Sequence, residues 1–162
     1  MERGERGMYE EKRGYERLIV WQNAYKLRLR IYQITTRFPK IELRRISQMR
    51  DAARSIKQNI QEGYGKGSIK KYMSYLAISH DSTLEVIGDI QDCHDDKLIS
   101  GEEFKELDDL AGRTAYLLKK LIQSLRQKQK EGTWIDYYEK REERDVREKE
   151  GVGGMGRGKR GN

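Results

Sequence analysis

The stretch RRISQMRDAARSIKQNIQEG, residues 44–63, decides how the rest of the chain is read. Ile46, Met49, Ala53, Ile56 and Ile60 recur at three- and four-residue steps, the repeat of one face of an α-helix rather than the two-residue repeat of a strand. Arg50, Arg54, Lys57 and Gln61 follow the same steps. They form a second stripe on this helix, roughly 90° round from the apolar one on 3.6-residue geometry. One segment therefore carries a packing seam and a cationic line beside it.

The same periodicity continues on both sides. Upstream, Val20, Ala24, Leu27, Ile31 and Ile34 form a seam that Trp21, Tyr25 and Tyr32 widen, and Phe38-Pro39 ends that helix because proline disfavours the α conformation in the residue before it. Downstream, Gly63, Gly65 and Gly67 read as a helix stop, and Ser68 reads as the N-cap of a third helix. The third seam is Tyr72, Leu76, Ser79, Thr83, Val86 and Ile90, with Leu84 and Ile87 on a second apolar edge. Asp95 to Gly101 reads as a turn, and Ser100 with Glu103 has the spacing of a capping box. The fourth seam is Leu107, Ala111, Thr114, Leu118, Leu121 and Leu125, flanked by Leu110, Leu117 and Ile122.

These patterns predict helices near 16–37, 42–62, 69–94 and 102–128. Short connections make successive helices antiparallel. The expected fold class is all-α, an up-down-up-down four-helix bundle over residues 15–130, with disordered charged termini at 1–14 and, in part, 131–162. Trp134, Tyr137 and Tyr138 form an aromatic cluster that reads as packing back on the bundle or on a neighbouring subunit. The spare apolar flank carrying Tyr25, Tyr32, Leu84, Ile87 and Leu117 predicts a homo-oligomer.

Composition agrees. Of 162 residues, 35% are hydrophobic and 38% charged, enough for narrow helical seams but too lean for a sheet-on-sheet core. The single proline leaves long stretches free of helix breakers. One cysteine permits no internal disulfide, MERGERGMYEEKRG has no apolar signal core, and no run approaches the roughly 20 apolar residues of a membrane span. These features predict a soluble, cytoplasmic protein with no membrane association.

Little in the chain suggests catalysis. The two histidines, His80 and His94, read as lying on opposite sides of a helix, and neighbouring Cys93 and His94 diverge, so no metal set or nucleophile pair converges. The carboxylates Asp89, Asp92, Asp95, Asp96, Glu102, Glu103, Glu106, Asp108 and Asp109 crowd around one turn and read as a solvated acidic end. Gly63-Tyr-Gly-Lys-Gly-Ser68 lacks the preceding strand and the Gly-Lys-Ser/Thr ending of a phosphate-binding loop. The expectation is a non-enzyme with no cofactor, no metal and no small-molecule substrate.

The cations are more informative. The net charge of +7 and pI near 9.4 favour acidic partners. Between Lys26 and Lys57 lie Arg28, Arg30, Arg37, Lys40, Arg44, Arg45, Arg50 and Arg54, against only Glu42 and Asp51. The fourth helix adds Arg113, Lys119, Lys120, Arg126, Lys128 and Lys130. The candidate nucleic-acid-binding residues are Arg50, Arg54 and Lys57 first, then Arg44, Arg45, Lys119, Lys120 and Arg126. Against this stands a plainer reading in which the cations serve solubility and salt bridges to the acidic end.

Leu18-Ile-Val-Trp-Gln22, Phe38-Pro39, Gln48-Met-Arg50, Ala52-Ala-Arg-Ser-Ile56, Asn59-Ile-Gln-Glu-Gly63 and Lys71-Tyr72, in this order, resemble the four-helix-bundle protein family. That family includes proteins encoded in intervening sequences of bacterial 23S rRNA genes and the accessory variability determinant of diversity-generating retroelements. The resemblance covers about residues 15 to 126. It implies a homopentameric barrel without known catalysis and, in the retroelement branch, binding to nucleic acid and to a reverse transcriptase. Lys57 stands where the family often has proline and Lys71 where it commonly has an acidic residue, so this chain is the more basic. Two functions are open at this point: an accessory protein that binds RNA or DNA and a partner such as a reverse transcriptase, or a protein–protein scaffold of the rRNA intervening-sequence type.

Overall fold

The computed structural model describes residues 13–134, and every regular element among them is helical. The four long helices are α1 (Ile19–Thr35), α2 (Leu43–Gly65), α3 (Ile69–Asp95) and α4 (Gly101–Glu131). Short 3-10 turns at Gly14–Arg17 and Lys40–Glu42 lead into α1 and α2. The first helix thus begins later than its periodicity predicts. Leu18 is extended, and the Glu16 carboxylate accepts a 3.0 Å hydrogen bond from the Arg13 amide, closing the preceding turn on itself. Of the predicted tails 1–14 and 131–162, residues 1–12 and 135–162, including Tyr137 and Tyr138, lie outside the described residues. Trp134 is described, and it packs half-buried against the core.

Cross-links between helix ends establish the antiparallel order. Trp21, near the start of α1, donates from Nε1 to Gln61 near the end of α2. Arg45, at the start of α2, pairs with Asp96 just past α3. Arg37, just past α1, pairs with Glu103 in the first turn of α4. Each helix packs on its two neighbours in the cycle α1–α2–α3–α4, and the diagonal pairs bring no Cα atoms within 8 Å of each other. The α1–α2 and α3–α4 grooves consequently lie on opposite sides of the bundle.

The seams meet as their spacing requires: Leu27, Ile31, Ile34, Met49, Ile56, Ile60, Leu76, Val86, Ile90, Leu107 and Leu118 are all fully buried. Ile46 and Leu121, at the seam margins, are only half-buried. Polar seam positions are satisfied locally. Thr83 donates to the Ser79 carbonyl and Thr114 to the Leu110 carbonyl, each at 2.8 Å, while Ser79 crosses to the Ile56 carbonyl at 2.8 Å. Small residues let α2 and α3 approach closely, and Gly63 marks the tightest point. A Cβ there would lie 2.7 Å from the Cβ of Tyr75, so this glycine is a packing position within α2 rather than a stop. The reversal falls later, at Gly67, whose φ of 71° is the left-handed conformation glycine takes readily. Ser68 caps α3, and Ser100 with Glu103 forms the expected capping box on α4.

Cys93 belongs to the core. It is fully buried, its Sγ donates to Met49 Sδ at 3.4 Å, and burial pushes its thiol pKa up. No helix among the described residues is long and apolar enough to cross a membrane.

Candidate nucleic-acid interface

The α1–α2 groove collects cations from both helices. Arg28 and Tyr32 of α1 and Arg50, Asp51 and Arg54 of α2 line a hollow of about 110 Å³. Lys57 continues this line one turn further along α2. Its ammonium donates at 3.0 Å to Gln61 Oε1, the same oxygen that accepts from Trp21, so Lys57 is held against α1. Partial burial lowers the Lys57 pKa, and the nearby charges of Arg28 and Arg54 lower it further. Arg28 and Arg54 thus press on Lys57, and among the described residues Asp51 is the one acid that lines the hollow. Such an arrangement is unfavourable in the free protein and relaxes when an anion enters.

Arg50 is placed differently from its stripe-mates. Its Nε donates to Thr35 Oγ1 at 2.9 Å, and its guanidinium lies 4.0 Å over the Tyr32 ring, tying α2 to the end of α1. Arg28, which the stripe along α2 alone does not contain, takes the open position across the groove. The signal for it is the α1 step Tyr25, Arg28, Tyr32, which places one cation between two exposed rings.

The remaining candidates lie elsewhere. Arg45 is half-buried in ion pairs with Asp96 at 2.7 Å and Glu42 at 3.0 Å, so it serves the contact between α2 and the end of α3. Arg44 is exposed on the first turn of α2 and lines neither groove. Lys119 and Arg126 line the α3–α4 groove with His80, Gln123 and Ile122 around a hollow of about 270 Å³. Lys120 turns away to lie 5.5 Å from the Tyr116 ring. Arg50, Arg54 and Lys57 thus fall in one groove and Lys119 and Arg126 in another on the opposite face, while Arg44, Arg45 and Lys120 belong to neither.

The acidic end is less solvated than its composition suggests. Glu106 pairs with Arg30 at 2.8 Å, and Glu103 pairs with Arg37. The Arg37 hydrogen bond, helped by the Ser100 amide, holds the Glu103 carboxyl down at about 2. The two histidines both fall on unbroken α3, where their spacing of nearly four turns returns them to about the same side, roughly 21 Å apart, rather than to opposite sides. No cluster of three or more metal-binding side chains occurs among the described residues.

The model of one protein family, the 23S rRNA-intervening sequence proteins, matches residues 16–120, a span that contains every residue of the α1–α2 groove. No curated protein matches the chain.

Proposed function

Because the chain belongs to the 23S rRNA-intervening sequence protein family, we propose that it is a non-catalytic accessory protein that binds nucleic acid in the α1–α2 groove. The carrying observation is the convergence of Arg28, Arg50 and Arg54 on one hollow whose described lining holds Asp51 as its sole acid, with Lys57 one turn further along α2. Phosphates supply the missing counter-charge, and sequence-independent contact of this kind needs no base-reading element. A homo-oligomer, a pentamer by the family resemblance, would repeat the groove and turn a weak contact into an avid one. Exposed Ile78, Leu84 and Tyr116 on α3 and α4 offer apolar surface to another copy or to a protein partner such as a retroelement reverse transcriptase. A reverse-transcriptase gene and a template repeat beside the coding gene would support that partner. A reducing cytoplasm suits the buried, unpaired Cys93.

The test replaces Arg28, Arg54 and Lys57 together by glutamine, which keeps length and helix propensity. The variant should fold and assemble as the wild type does and bind nucleic acid at least ~10-fold more weakly. Its salt dependence should be shallower by about 0.7–0.9 for each phosphate that is no longer neutralised. Unchanged binding would move the site to the α3–α4 groove of Lys119 and Arg126. Absence of binding by the wild type at low salt would favour the protein-scaffold reading.

A further inference from the structure

We infer that the nucleic acid held in this groove is single-stranded and that Tyr25 and Tyr32 are the platforms on which its bases stack. The inference rests on the reading of the groove as a nucleic-acid site and adds the form of the ligand. On α1, Trp21, Tyr25, Arg28 and Tyr32 follow steps of four, three and four, so one helix edge alternates rings with a cation. Tyr25 and Tyr32 lie about 10 Å apart along that edge, room for two stacked bases, one on each ring.

Both tyrosines are exposed where rings are ordinarily buried: Tyr25 by 42% and Tyr32 by 50%. Both are also braced by a neighbour. Tyr25 lies nearly parallel to Trp21, centroids 5.3 Å apart and planes 12° apart, and Trp21 is itself fixed by its bond to Gln61. Tyr32 carries the Arg50 guanidinium at 4.0 Å, fixed by Thr35, while the Arg28 guanidinium lies further off, 5.8 Å from the same ring. A ring held by a packed neighbour keeps a single orientation and loses little freedom when a base stacks on its exposed part. Arg28, Arg54 and Lys57 lie between and beside the two rings, where the phosphates of a strand laid along α1 would run. A duplex keeps its base faces inside its own stack and offers this edge only phosphates, so it gains nothing from the tyrosines. A single strand uses both.

The experiment measures binding of the full chain, at low salt, to a fluorescent oligouridine and to a blunt duplex of equal length. Wild type should prefer the single strand. Tyr25→Leu with Tyr32→Leu, which keeps apolar bulk and helix propensity, should weaken single-strand binding about 10- to 100-fold and leave duplex binding within about twofold. The charge variant R28Q/R54Q/K57Q should weaken both. Equal loss on both ligands, or no loss with the tyrosine variant, overturns the single-strand assignment while the basic groove stands. No wild-type binding to either ligand removes the groove reading itself. Light scattering on the tyrosine variant supplies the remaining check: a change in oligomer size would make these rings subunit contacts and overturn the inference.

Discussion

The arginines at the loop end of α1 and α2 and those in the middle of the α1–α2 face are the same residue type in the same basic run, yet the fold treats them oppositely. At the loop end, Arg37 and Arg45 meet Glu103, Asp96 and Glu42, acids that come mostly from distant parts of the chain. In the middle of the face, Arg28 and Arg54 line one hollow, and both lie near enough to Lys57 to lower its pKa. Charges that segregate along a sequence need not segregate on a surface, because antiparallel packing brings the start of α4 and the end of α3 against the end of α1 and the start of α2. The cations left for a polyanion are those that outnumber the acids beside them once the bundle closes.

The sharpest way to break this contrast is to neutralise one arginine from each region. Arg45→Gln should destabilise the protein by about 1–3 kcal/mol, since it removes two charge-assisted bonds and strips the half-buried Asp89 of a nearby positive charge. Arg54→Gln should change stability by no more than about 0.5 kcal/mol. The Asp89 carboxyl is already raised by its burial and by Glu85 and Asp92, with Arg45 the opposing influence. Its ionised form therefore costs stability at neutral pH, and the cost disappears when it protonates. The Arg45→Gln deficit in chemical denaturation should accordingly be greatest near pH 7 and shrink as pH falls through the carboxylate range. A deficit for Arg54→Gln as large as that for Arg45→Gln would erase the distinction between the two regions.

That distinction explains what was legible in the sequence. Helix existence, the five-residue seams of α1 and α2 and both polar caps followed from spacing alone, because periodicity records the face that packs. The stripe Arg50, Arg54 and Lys57 was legible for the same reason. Its division was not, since the partners of Arg50 and Arg45 come from other helices and no single-helix projection contains them. Arg28 was missed because it completes the groove only when α1 is laid antiparallel beside α2. Gly63 was misread because a glycine that permits close approach and one that ends a helix look identical until the neighbouring Tyr75 is in place.

A smaller effect sharpens the loop-end half of the comparison. Glu103 has its carboxyl pulled from 4.5 to about 2, chiefly by the Arg37 hydrogen bond. A depressed carboxylate contributes stability that is whole above its unfolded value and is lost as pH falls from about 4.5 through about 2. Arg37 is largely exposed, so water screens the pair and its worth is about 0.5–1 kcal/mol. Arg37→Gln should lower the neutral-pH melting temperature by a few degrees, and the wild-type and variant curves should converge as the pH approaches 2. Parallel curves throughout would mean that the capping box with Ser100, and not the ion pair, holds the Glu103 carboxylate down.

The smallest expected effect tests Arg50, which stands at the border between the two regions. It shares the stripe with Arg54 and lines the same hollow, but its guanidinium is spent on Thr35, on the Tyr32 ring and, at 3.4 Å, on the Tyr32 carbonyl. Lysine at this position keeps the charge and loses the planar fork that makes these contacts together. Arg50→Lys should therefore cost about 0.5 kcal/mol of stability while leaving the salt dependence of nucleic-acid binding unchanged, because the charge in the groove is the same. The tyrosine platform supplies a second reading of the same variant. Without the guanidinium beneath it, Tyr32 is freer to turn, so single-strand affinity should fall about two- to threefold with duplex affinity unaltered. Weaker single-strand binding with an unshifted melting temperature would assign Arg50 to the groove alone, and a lowered melting temperature with unaltered affinity would assign it to the helix junction alone.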